Sequence, residues 1–432
     1  MIKHLCTVLC FVLAQGNPLA AQEHPFSDPT NDGEWVLNTS VSDEFDGSVL
    51  NLDKWDNLGL NGNYYGEWKG RAPSQYDSAN VFVGGGHLTL TSRWDPDFQF
   101  SKTAGSNGFK YGQPAPVTTA CVVSKARFKY GYMEMRCKAA DGPISSSFWT
   151  TGHGGEIDVF EHFGEKPNDA FSSKRFHTSF HDWRKGSLTF GKRIWTNDHQ
   201  LDFRVADDFH IYGLHWAEDF VKIYVDGILV NCVTKDEMGD NWVATDEQKV
   251  WIDSETFDWE VRPEFLKASD FGDGQQFVID YCRIWQSSKA LRWVLRPNLI
   301  SNPGFEEGLI GWQGSAVAGE DVRSGRGSAV MESSGTIHQT VPVKPNTTYI
   351  LSGWVSSPKT NGKDLWYNAY LGVRSYGGEE TKARFFFPYF HQKSLQFRTG
   401  PEASKAIIFF TNNPQDQKAF IDDISLVEAE QP

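Results

Sequence analysis

From about residue 35 to residue 290 the chain is a succession of short segments in which apolar and polar residues alternate, punctuated by Gly, Asn and Asp. A period of two sends successive side chains to opposite faces of a strand, and no long stretch repeats with the 3.6-residue period of a helix. The sharpest case is Val221-Lys-Ile-Tyr-Val-Asp-Gly-Ile-Leu-Val230, where Val221, Ile223 and Val225 alternate with Lys222 and Tyr224. Asp226-Gly227 then supplies the positive φ angles of a tight hairpin turn. Phe128, Tyr130 and Tyr132 alternate with Arg127, Lys129 and Gly131, and His210-Ile-Tyr-Gly-Leu-His-Trp216 is a further mixed alternation. Many strands of this length imply an all-β fold, a sandwich or a barrel. The pattern breaks at Ser287-Ser288 and a basic stretch, then resumes at Asn298. This predicts a β domain over 22–286, a linker over 287–297 and a second β domain over 298–432.

The chain opens with Met1-Ile-Lys-His, an apolar run from Leu5 to Ala14, and small residues ending Leu19-Ala20-Ala21, the layout of a secretory signal peptide over residues 1–21. The run falls short of the roughly 20 residues that span a bilayer, and no later segment is long and apolar enough. The expectation is therefore a secreted protein, extracellular or periplasmic, without a membrane span. The length remaining, at roughly 150 residues per domain, suggests two or three domains.

Lys and Arg total 41 against 55 Asp and Glu, a net charge of −14. Such a balance repels a nucleic-acid backbone or an anionic membrane. Cys6 and Cys10 leave with the leader, so Cys121, Cys137, Cys232 and Cys282 allow up to two disulfides in an oxidising compartment, with the pairing open. The absence of a Cys-x-x-Cys motif argues against structural zinc.

The chemistry concentrates in Glu156-Ile-Asp-Val-Phe-Glu161. Glycosidic hydrolysis with retention needs two carboxyl groups about 5–5.5 Å apart, one a nucleophile and one a proton donor. On a regular strand Glu156 and Asp158 share a face while Glu161 points the other way. A β-bulge within Asp158–Glu161 would return Glu161 to the face of Glu156. Clustered acids raise at least one pKa and leave a carboxyl protonated near neutrality, and Asp158 is expected to hydrogen-bond Glu156 and fix its orientation. Ser145-Ser-Ser-Phe-Trp149 and His177-Thr-Ser-Phe-His181 are expected to pair on either side.

Trp68-Lys-Gly-Arg-Ala-Pro73, Ser124-Lys-Ala-Arg-Phe-Lys-Tyr-Gly-Tyr-Met-Glu-Met-Arg136, Ser147-Phe-Trp149, the acid motif, Tyr212-Gly-Leu-His-Trp216, Tyr224-Val-Asp-Gly227 and Asp253-Ser-Glu255 follow one another in the order of glycoside hydrolase family 16, which the chain resembles over roughly 35 to 286. The resemblance implies a curved β-jelly-roll sandwich with a cleft across its concave sheet, with Glu156 as nucleophile, Asp158 as assisting acid and Glu161 as general acid/base. The Trp68-Lys-Gly-Arg71 and Trp251–Trp259 segments look most like the agarase and porphyranase branch, so the implied activity is endo-cleavage of a red-algal galactan. Trp68, Arg71, Trp149, His177, His181 and Glu255 are the implied substrate contacts. Lys174, Arg175, Arg184 and Lys185 gather near that cleft and suit sulfate esters. They keep porphyran, kappa-carrageenan and furcellaran open beside neutral agarose. A laminarinase, a transglycosylase and a non-catalytic polysaccharide-binding protein are the remaining alternatives. Catalysis needs no cofactor, but the resemblance implies a structural calcium held by Glu44 and Asp280.

Asn298-Leu-Ile-Ser-Asn-Pro-Gly-Phe-Glu306, Gly311-Trp312, Tyr349-Ile-Leu-Ser-Gly-Trp354 and Ile421-Asp-Asp-Ile-Ser-Leu426 resemble β-sandwich carbohydrate-binding modules of the family 4 and 22 type. That implies a second calcium at Glu306 and Asp422 or Asp423, and a sugar platform drawn from Trp366, Tyr367 and Tyr370 or from Phe385–Phe387. The expected assembly is a monomer on polysaccharide, with the module raising the local concentration of the catalytic domain.

Overall fold

The computed structural model describes residues 24–66, 68–101, 115–166, 169, 172–289, 296–332, 334–357, 369–385, 388–413 and 418–429. The expected leader, most of the expected linker, and Trp366, Tyr367, Phe386 and Phe387 lie outside them. None of the helices among the described residues is long and apolar enough to cross a membrane.

The alternating segments form two packed sheets, as the all-β reading anticipated. In the larger, Ile228–Thr234, Phe220–Val225, His210–Trp216, Gly131–Lys138, Gln275–Ser287 and His87–Trp94 lie side by side, with shorter strands beyond. The second has seven strands in the order Lys192–Gln200, Arg175–Asp182, Gly155–Phe163, Ser145–Thr151, Lys249–Asp253, Cys121–Ser124 and Trp55–Asn57. One apolar core joins their inner faces, with Met133, Leu214 and Ile284 from one sheet against Phe148, Ile157 and Phe180 from the other. This is the jelly-roll sandwich. The hairpin forms as expected: Val225 faces Ile228 across Asp226 and Gly227, whose φ angles are 47° and 75°.

One expected alternation is interrupted. Tyr130 takes a φ of 56° and Gly131 one of 137°, so the strand begins only at Gly131. A Cβ at Gly131 would lie 2.2 Å from the Trp285 carbonyl oxygen, so only glycine admits this close approach.

The disulfides that the sequence allows do not form among the described residues. Cys121, Cys137, Cys232 and Cys282 are buried free thiols. Cys137 and Cys282 lie on neighbouring strands but face Ile279 and Met135 respectively, so their Cβ atoms are out of register for a bridge. Cys121 sits in the other sheet and Cys232 on the outermost strand of the larger one.

Residues 313–428 build two further five-stranded sheets with an apolar core of their own, including Leu351, Leu371, Phe385 and Leu426. Phe385 is therefore core rather than platform, while Tyr370 is partly buried beneath the Lys382 ammonium, 5.0 Å from its ring centre.

Candidate active site

The acid strand Gly155–Phe163 lies between Ser145–Thr151 and Arg175–Asp182, as its neighbours predicted. Glu156 faces His181 and Asp158 faces Ser179, but Glu161 faces His177, so three steps along the acid strand match two along its partner. On the other side Asp158 faces Trp149 while Phe160 faces Phe148. The bulge therefore lies at Val159-Phe160. Ile157, Val159 and Phe160 all enter the core, where the Phe160 ring centre lies 4.2 Å from that of Tyr212. Burying a second consecutive apolar side chain contributes roughly 1.5–3 kcal/mol, which offsets the lost ladder pairing and turns Glu161 back to the face of Glu156 and Asp158. All three acids line one trough of about 960 Å³.

Trp183 Nε1 donates to Glu156 Oε2 at 3.0 Å. Asp158 accepts from the Ser179 hydroxyl and lies 3.2 Å from His181 Nε2, which is itself 3.8 Å from Glu156 Oε1. The expected Asp158–Glu156 hydrogen bond does not form, because Ser179 and His181 on the neighbouring strand engage the Asp158 carboxylate. Burial and the Asp158 charge raise Glu156 well above the carboxylate range. Burial pushes Asp158 upward too, but its bonds to His181 and Ser179 and the His181 charge outweigh this and lower it. Burial, then the charge of Asp158, pushes Glu161 up to about 7 against the opposing pull of His177 and Arg71. His177 bonds Asp198 at 2.8 Å, and that partner raises it despite burial.

On the other side of the acids the Trp149 and Trp251 rings stack at 4.7 Å, and Trp68 and Trp259 continue the apolar wall. Arg71 lies 5.5 Å from the Trp68 ring centre and 5.1 Å from that of Trp259. Glu255 is 5% exposed and is engaged by Arg71 at 3.1 Å and by the Tyr76 hydroxyl at 2.7 Å, so its closest partners are these side chains of the protein. Of the four basic residues singled out in the sequence, only Arg175 lines the trough, and it pairs with Asp169 at 2.9 Å. Arg184 is held by Asp182 at 2.8 Å, Lys174 reaches the Asp202 carbonyl at 3.4 Å, and Lys185 is exposed. Trp183, Ser179, Asp198 and Arg193 escaped the sequence reading. Trp183 stood inside a segment noticed only for its charges, and Lys192–Gln200 carried no motif.

Among the described residues, only Glu156, Asp158 and His181 bring three ligand-type atoms within 4.8 Å of one another. Glu44 and Asp280 each have an arginine partner: Arg283 grips Glu44 at 2.8 and 2.6 Å, and Arg136 holds Asp280 at 2.7 Å. Carboxylates neutralised in this way do not fit a shared calcium. Glu306, Asp422 and Asp423 do face one space, since a Cβ on Gly304 would lie 3.8, 3.7 and 3.4 Å from an oxygen of each.

A jelly-roll sandwich carrying three acids in an aromatic-walled trough belongs to the class of polysaccharide-cleaving glycosidases. Residues 35–287 match the family model described as beta-porphyranase A-D, GH16 domain, and the chain belongs to this glycoside hydrolase family. Beta-porphyranase D of Zobellia galactanivorans is 29% identical over 49% of this chain and 54% of its own length. Beta-porphyranase B of the same organism is 28% identical over 56% and 84% respectively, and its beta-agarase A is 25% identical over 54% and 42%. The match thus spans about half the length of the first and third of these relatives. The crystal structure of porphyranase B from that organism aligns with a TM-score of 0.47 at 24% identity, over 58% of this chain and 92% of that one.

Proposed function

We propose that this chain is a secreted, retaining endo-glycoside hydrolase that cleaves a red-algal galactan of the agarose or porphyran type. The observation that carries the reading is the bulge that turns Glu161 into the trough beside Glu156 and Asp158. Glu156 attacks the anomeric carbon while Glu161 protonates the departing oxygen, giving a covalent glycosyl-enzyme. Glu161 then takes a proton from water, whose oxygen attacks that carbon and frees Glu156.

Before catalysis Asp158, with its two donors, takes the negative charge of the pair and leaves the proton on Glu156. Positive charge developing at the anomeric carbon reverses this order, and the proton passes from Glu156 to Asp158 by way of His181, which lies between them. That is the work of an assisting acid. Trp149, Trp251 and Trp68 offer flat faces to sugar C–H edges, and His177 and His181 flank the acids; all five line the trough.

A sulfated galactan is favoured by one further feature. Arg71, Lys166 and Arg175 in the trough pair with Glu255, Glu260 and Asp169, whereas Arg193 has no carboxylate partner among the described residues and is exposed at the rim. A guanidinium in that position binds a sulfate ester through paired N–H donors. The relatives named as porphyranases agree with this preference.

The deciding experiment is a panel of agarose, porphyran, kappa-carrageenan, furcellaran and laminarin scored by reducing ends and product size. Porphyran is expected to give short oligosaccharides quickly. Cleavage of laminarin alone would remove the galactan assignment, and longer products formed from oligosaccharides would make the enzyme a transglycosylase.

Residues 298–432 are proposed to serve as a carbohydrate-binding module, with calcium at Glu306, Asp422 and Asp423. Their hard oxygens suit that ion, which would have to displace the backbone amides of Arg326 and Arg323 from Glu306 and Asp422 at 2.9 Å each and the Arg323 guanidinium from Asp423 at 3.0 Å. EDTA is expected to lower the melting temperature by roughly 5–10 °C, with recovery on adding calcium. An unchanged melt would remove the ion from the site.

A further inference from the structure

The second β unit does not hang free behind the first. The Lys393 ammonium donates to the Asp198 carbonyl at 2.6 Å, Gln392 Nε2 to Glu237 at 2.8 Å, and the Ser394 hydroxyl accepts from the Cys232 amide at 3.2 Å. Asn197 donates to the Gln392 carbonyl. Beside these polar contacts, Leu229 packs in one apolar cluster with Ile350, Val427 and Ala429. Polar groups buried in mutual hydrogen bonds hold a surface in one register, because separating them requires each to be re-paired.

This docking has a consequence at the trough. Lys192–Gln200 is the outermost strand of the seven-stranded sheet and lies two strands from the acid strand, about 10 Å at ordinary strand spacing. Beyond it the wall of the trough is continued by Tyr389 and His391, which belong to the second unit. His391, Gln392 and Lys393 are 4%, 3% and 6% exposed, as groups that seal an interface should be. Tyr389 is 52% exposed. Its hydroxyl is raised to about 12 by burial and by the charge of Asp198, so it stays neutral in the working range. An aromatic ring that borders the trough and remains half open has the disposition of a sugar-stacking face rather than of packing material.

We propose that the second β unit completes the substrate trough, and that Tyr389 is a positioning residue that stacks on a sugar several units from the scissile bond. The inference rests on the reading of the trough as a polysaccharide site. It changes the module from a tether that raises local concentration into a wall of the cleft. Chains long enough to reach Tyr389 are held at both ends of the trough, whereas short ones engage only the acids and the Trp149–Trp251 stack.

The test is a ladder of oligosaccharides prepared from whichever panel polymer the wild type cleaves. Tyr389→Ala is expected to lower kcat/KM for the longest members, relative to the shortest, about tenfold, mainly through KM. Tyr389→Phe is expected to restore the wild-type ratio, since the ring and not the hydroxyl supplies the contact. Equal losses at every length, with a lowered melting temperature, would make Tyr389 mere packing and overturn the inference while leaving the glycosidase intact. An unchanged ratio would do the same. A wild type inert on every polymer would instead remove the proposed function itself, and this inference with it.

Discussion

Replacing Glu156 with glutamine is expected to lower kcat by at least about 10⁴-fold while polysaccharide binding, read by depletion onto insoluble polymer or by affinity electrophoresis, stays within about threefold of wild type. The amide keeps the size of the carboxylate, and its carbonyl can accept the Trp183 Nε1 bond that now reaches Glu156 Oε2 at 3.0 Å. It lacks the charge and the lone-pair basicity that covalent attack requires. The trough walls stay in place, because the Trp149–Trp251 stack and the Arg71–Glu255 pair are contacts between other side chains. Loss of binding together with turnover would mean that Glu156 holds the substrate rather than attacks it. Retained turnover would move the nucleophile elsewhere in the trio.

The experiment is worth doing because the sequence alone leaves the side-chain directions at odds with the chemistry. Alternation places Glu161 on the wrong face, and only the demand for two facing carboxyls calls for a bulge. The signal is nonetheless present: Val159 and Phe160 are consecutive apolar residues, and both go into the core. Local patterns were readable wherever turn chemistry and burial agreed, as at Val221–Val230, where Asp226 and Gly227 take the left-handed angles. They failed where one backbone angle broke the rhythm, as at Tyr130. Pairings between distant segments were the least legible. Nothing in the spacing of the four cysteines shows that Cys137 and Cys282 sit out of register, and nothing in Glu44 or Asp280 announces the arginines that hold them. Asp198 reaches the trough through the pairing of its strand with that of His177, and Tyr389 only because two separate sandwiches meet there. Residues that depend on such docking carry no local motif.

Glu161 provides the second large effect, and its sign follows from its surroundings. Burial and the negative Asp158 raise it to about 7, so below that pH it carries the proton that the leaving oxygen needs. As pH rises through about 7 the proton is lost, and kcat/KM is expected to fall about tenfold per pH unit on the alkaline limb. Once Glu156 is esterified and Asp158 holds the proton, the Asp158 charge that raises Glu161 is gone. The affinity of Glu161 for a proton then drops, which suits it to act as the base that activates water in the second step. Glu161→Gln removes both functions. It is expected to lower kcat/KM by about 10²–10⁴-fold and to abolish the alkaline limb near 7, since the amide does not titrate. A variant that keeps that limb would show that another group governs it, with His177 the first candidate because its pKa is also raised, chiefly by Asp198 against burial. A His177→Gln pH profile separates the two: if Glu161 is the acid, the limb persists and shifts upward, because the cation that now lowers the pKa of Glu161 has been removed.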